Sequence, residues 1–152
     1  MKLKLLASAL ACTSLLFGCA TTSNVPWQNQ ASVSVEKTNI NLTSSLWINK
    51  MPTIGEEPTA PLHGSLSLSA DREIPANMDV TAIVLRHGSD VVEVSDKDFE
   101  VEAGSENQWK VSFKQPEHFA NEVDTLDVGV LLDNGQKQVW AVDKNVKVDL
   151  VF

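Results

Sequence analysis

The chain has 152 residues, with 12 basic and 20 acidic side chains and only two cysteines, Cys12 and Cys19. That length suits one domain, and two cysteines exclude both a disulfide-stapled scaffold and a cysteine-built zinc centre. A formal net charge of −8 makes nucleic acid a poor candidate as partner, and none is expected, because the long-range field of the chain repels phosphate backbones.

The first element is a leader. Lys2 and Lys4 precede an apolar run over residues 5–17, the pattern of a secretory signal. The run falls short of the roughly 20 apolar residues that a membrane-spanning helix needs. It ends in Leu16-Phe17-Gly18-Cys19, which resembles the lipobox of bacterial lipoproteins. Leu16 and Gly18 match that family's pattern, while Phe17 departs from the small or β-branched residue usual at its place. The resemblance implies cleavage between Gly18 and Cys19, a diacylglyceryl thioether on Cys19 and acylation of its new amino group. Ala20 stands where an aspartate would, by the same resemblance, favour retention in the inner membrane. The expected address is therefore the outer membrane, facing the periplasm, with the lipid on Cys19 as the membrane contact. More than one acyl chain makes such attachment durable, since each buried CH₂ contributes about 0.8 kcal/mol. An ordinary secretory signal followed by a coincidental cysteine is the competing reading. Cleavage would remove Lys2, Lys4 and Cys12 and take the net charge from −8 to −10.

Residues 19–30 then read as the lipidated cysteine and a flexible tether, rich in Thr, Ser, Asn and Gln. Trp27 is the exception within it. Its indole either sits at the lipid interface or docks onto the domain, and docking is the expectation.

Residues 31–152 carry strand signals at short intervals. Residues 39–49 alternate, with Ile40, Leu42, Leu46 and Ile48 on one face, and residues 62–70 repeat the pattern with Leu62, Leu66 and Leu68. Residues 80–86 form a denser apolar run, the signature of a central strand covered on both faces. Gly88-Ser89-Asp90 turns it into residues 91–94 as a hairpin. Phe99 and Val101 mark a short strand, and Trp109, Val111 and Phe113 share a face opposite Lys110, Ser112 and Lys114. A single helical turn is the expectation at 116–121. Residues 126–132 and 136–142 flank Asp133-Asn134-Gly135, where Asn-Gly predicts a type I′ hairpin turn. Val146, Val148, Leu150 and Phe152 end the chain in alternation.

Short strands with turn signals every 8–12 residues predict an all-β fold, an antiparallel β-sandwich of about 7–9 strands. The spacing resembles that of immunoglobulin-like and fibronectin type III domains, and a closed barrel is the alternative. At least two of Trp47, Trp109 and Trp140 are expected in the core.

Candidate chemistry is sparse. Arg86-His87-Gly88-Ser89-Asp90 sets base, nucleophile and acid side by side, but a catalytic triad needs them to converge in space. Neighbours in a tight turn diverge, and no Gly-x-Ser-x-Gly elbow is present. His63, His87 and His118 lack metal-ligand spacing. The expectation is no catalytic residue, no metal, no cofactor and no enzymatic activity. If extended, residues 96–102 would stack Asp96, Asp98, Glu100 and Glu102 on one face, reading either as a solvated edge strand or as a site for a hard cation. The proline-restricted loop at 51–61, with Met51, Pro52, Ile54, Pro58 and Pro61 after Trp47, is the candidate binding loop. Phe152 resembles the terminal signal of outer-membrane barrels, a pattern shared by any last strand with one buried face. The sequence thus points to an anchored, non-catalytic binding or scaffold module with an envelope protein as partner. An accessory or inhibitor protein of an envelope enzyme is the narrower alternative, and a hydrolase or cation-binding protein the more distant one.

Overall fold

A computed structural model describes residues 25–51, 61–115 and 123–152. Gly18, Cys19, Pro52, Ile54, Pro58, His118 and the helical turn expected at 116–121 lie outside these residues. The described chain is all-β, with nine strands: β1 (Ser32–Val35), β2 (Thr38–Asn49), β3 (Leu62–Ala70), β4 (Asp79–His87), β5 (Asp90–Glu93), β6 (Phe99–Ser105), β7 (Gln108–Gln115), β8 (Thr125–Asp133) and β9 (Gln138–Val151).

Alternation makes these strands. In β2, Thr38, Ile40, Leu42, Leu46 and Ile48 are buried while Asn39, Asn41, Thr43 and Ser45 are exposed, because successive side chains of a strand point to opposite faces. Leu62, Leu66 and Leu68 of β3 and Val111 and Phe113 of β7 repeat the arrangement. Gly64 shares that inward face, and the Phe113 ring fills the space a Cβ would need there.

Hydrogen bonding joins the strands into one mixed, strongly curled sheet in the order β5-β4-β8-β9-β2-β3-β7-β6, with β1 added to β2. The curl closes the inner face on itself as a half-barrel. A single core cluster accordingly unites Leu46 and Leu66 from one half with Ile83, Leu85, Val128 and Val130 from the other. The expected wholly antiparallel arrangement is corrected at one place, where β2 and β9 run parallel with Leu46 opposite Val148 and Asn49 opposite Val151. Pairing of β9 with β8 ends at Thr125–Lys147. The backbone groups beyond that point need partners, and the far end of β2 supplies them.

Two further expectations change. No tryptophan is fully buried: Trp109 packs at the margin of the main core and Trp140 joins a separate cluster, while Trp47 lies half-buried on the outer face. Branched aliphatic side chains already fill the closed interior. The Asn-Gly turn is also not a two-residue turn. Asp133 pairs with Gln138, and in the four-residue loop between them the Asn134 side-chain oxygen accepts the N–H groups of Gln136 and Lys137. Only Gly135 has positive φ there, at 89°. The two-residue turn with positive φ at both positions occurs instead at Glu36 and Lys37, φ 48° and 67°, between β1 and β2. The hairpin of β4 and β5 forms as expected, with Gly88 at φ 59°.

Residues 80–86 are covered on both faces, as the dense apolar run requires. Ile83 and Leu85 enter the main core, while Val84 packs in a second cluster with Val25, Trp27, Trp140 and Val142. The outer cover of β4 is thus the segment just before β1. The last strand buries Val146 and Val148 but leaves Leu150 and Phe152 exposed, the latter at 82%.

Candidate binding face

Trp47 falls out of phase with the buried positions of β2, so it projects outward. Its cross-strand partner on β3 is His63, likewise out of phase with Leu62, Gly64 and Leu66. The two rings stack with centroids 5.6 Å apart and an interplanar angle of 9°. The row continues to Lys114 on β7, and on the other side Trp47 faces Asp149 of β9. The next rows are polar, with hydroxyls on β2 and β3 and charged groups toward β6: Ser45, Ser65, Ser112 and Glu100, then Thr43, Ser67, Lys110 and Glu102.

Beside the stack lies an open groove of about 360 Å³, lined by His63, Lys97, Asp98, Glu100, Ser112, Phe113 and Lys114. Partial burial and then the nearby Lys114 ammonium hold the His63 pKa below its usual value of 6.5, so its imidazole is neutral at physiological pH. Two ammonium and two carboxylate groups share the groove, and among the described residues no ion pair joins them to one another. A neutral imidazole that donates and accepts, charges of both signs and an aromatic ring lie together on this face.

Of the sequence-derived binding residues, Trp47 belongs to this face. Met51 is exposed one residue beyond Lys50, whose N–H donates to the Val151 carbonyl, so it lies by the chain end. Pro61 is half-buried at the start of β3. Sequence reasoning missed His63 and Lys114. The available signal was parity, since His63 and Trp47 both break the buried alternation of neighbouring strands.

The other candidates sit elsewhere. His87, Gly88, Ser89 and Asp90 are exposed at the tip of the β4–β5 hairpin. The four-carboxylate ladder is not built: Asp96 and Asp98 occupy a turn, in which the Asp98 N–H donates to the Ser95 carbonyl. Only Glu100 and Glu102 share a strand face, on β6 at one edge of the sheet. Among the described residues no group of three or more His, Cys, Asp or Glu side chains could hold a metal ion.

The opposite outer face, on β4, β8 and β9, carries a different construction. The Arg86 guanidinium donates two hydrogen bonds to one Asp127 oxygen, at 2.7 and 3.0 Å, and lies 4.4 Å from the centre of the Trp27 ring. The other Asp127 oxygen accepts the Asn145 N–H. Trp27 therefore docks onto the domain, as expected.

Comparison with known protein families finds no matching family model, and comparison with curated proteins finds no match.

Proposed function

We propose that this chain is a lipid-anchored, non-catalytic binding or scaffold module of the bacterial envelope, tethered through Cys19 to the periplasmic face of the outer membrane. The strand order favours an immunoglobulin-like sandwich as its finer architecture. β2-β3-β7-β6 and β9-β8-β4-β5 correspond to the A-B-E-D and G-F-C halves of that fold, with β5 as the added C′ strand.

One observation carries the functional reading. The Trp47–His63 stack stands beside an open, mixed-charge groove on one outer face, while the segment that follows the anchor packs on the other. Aromatic side chains of this kind are over-represented among the few residues that dominate binding energy. The narrower reading, an accessory or inhibitor protein of an envelope enzyme, uses the same face and differs only in the partner.

The test is in-cell crosslinking of the tagged chain, with captured proteins identified by mass spectrometry. Cys19→Ser should move the chain to the soluble fraction and lose the partner. Trp47→Ala should stay membrane-bound yet weaken capture, since loss of a hot-spot aromatic costs at least about 2 kcal/mol, roughly thirty-fold in affinity. Equal capture by Trp47→Ala would remove this face from the proposal. Failure to capture any reproducible envelope protein would sink the binding-module reading itself.

A further inference from the structure

Residues 25–30 do not hang free of the sheet. Val25 is buried against Val84 and Val142, with Trp27 and Trp140 packed around them. The Asn29 side-chain amide donates to the Trp140 carbonyl at 3.1 Å, and the Val142 N–H donates to the Gln30 carbonyl at 3.1 Å. The sheet is shaped to receive this segment. Gly129 lies beneath it, where a Cβ would stand 3.1 Å from a Val25 methyl and 3.5 Å from both Trp27 and Trp140. Arg86, hydrogen-bonded to Asp127, presents its guanidinium 4.4 Å from the centre of the Trp27 ring.

We propose that residues 25–30 are a strap belonging to the domain, which shortens its link to the anchor and turns the β4–β8–β9 face toward the lipid surface. This rests on lipidation of Cys19. A chain spans at most about 3.6 Å per residue whatever its conformation. From Cys19 to Val25 the link therefore reaches no more than about 22 Å, whereas with the strap undocked the link to Ala31 reaches about 43 Å. The strap halves the reach of the domain. It also directs the Trp47–His63 face away from the membrane, so the partner at that face is a protein beyond the headgroup layer rather than the lipid.

Energy transfer measures this reach. The lipidated chain, carrying a donor dye on Ser67→Cys, is placed in phosphatidylcholine vesicles containing a headgroup-labelled acceptor lipid. A six-residue Gly/Ser insertion between Asn24 and Val25 lengthens the link with the strap intact and calibrates the response. Trp27→Ala should lower transfer by an amount similar to the insertion while the cooperative unfolding transition persists. Gly129→Ala, which crowds the strap from beneath, serves if the first variant unfolds. If the insertion lowers transfer and the folded strap variants keep the native value, the strap does not set the reach and the proposal is overturned.

Failure of the chain to float with vesicles would instead sink the anchor reading. The strap is then judged alone, by amide relaxation of the full processed chain in solution. Order parameters near about 0.85 at residues 27–30, falling below about 0.6 in Trp27→Ala, support it; values below about 0.6 in the native chain overturn it.

Discussion

His63 sits between an indole face and an ammonium group, and both its partial burial and Lys114 favour its neutral form. Its folded pKa lies below the unfolded value of 6.5, so between the two the unfolded chain binds more protons than the native one. Stability then rises with pH through that window. The contribution is complete above 6.5 and is lost as the pH falls from there through the folded pKa. Urea midpoints at about pH 7.5 and about pH 5.5 should therefore fall further apart for the native chain than for His63→Gln. An identical difference in the two proteins would show that His63 is not held neutral by the fold. The same shift keeps a hydrogen-bond acceptor available in the groove at neutral pH.

The hairpin of β1 and β2 uses Glu36 and Lys37 in left-handed conformations that favour glycine. Such a residue costs roughly 1–2 kcal/mol, and glycine's own loss of freedom returns part of that gain. Lys37→Gly should thus stabilise the protein by about 0.5–1 kcal/mol, measured by denaturant unfolding; a loss of stability would contradict the left-handed turn. Glu36 is a different case, because its carboxylate accepts a hydrogen bond from the Asn134 side chain in the β8–β9 loop. Asn134 is itself buried and donates its backbone N–H to the Lys137 carbonyl. One asparagine thus ties two hairpins together. Its side-chain bonds to Gln136 and Lys137 account for the four-residue loop at the Asn-Gly sequence.

Among the described residues, the eight-strand path of the curled sheet ends at β5 and β6. Every residue of β6 except the half-buried Phe99 is exposed, Val101 among them. An exposed edge is a template for pairing with another chain, and charged side chains suppress it. Glu100 and Glu102 supply that charge. Replacing both with threonine should raise the average mass seen by light scattering as concentration increases. A variant that matches the native chain at every concentration would show that the two carboxylates do not guard this edge.

Alternation of apolar and polar residues is a local property, and it determined by itself which side chains of β2, β3 and β7 face inward. The dense apolar run of β4 likewise required cover on both faces. Neither pattern names the partner that provides the cover. Only the tertiary structure decided that the outer side of β4 is covered by Val25 and Trp27, in a segment whose polar composition reads as tether. Only the strand register set His63 against Trp47 and brought the end of β9 alongside β2 in parallel. A period of two states how a strand divides its faces. Which strand lies beside it is fixed by unpaired backbone groups and by closure of the core, and both depend on the whole chain.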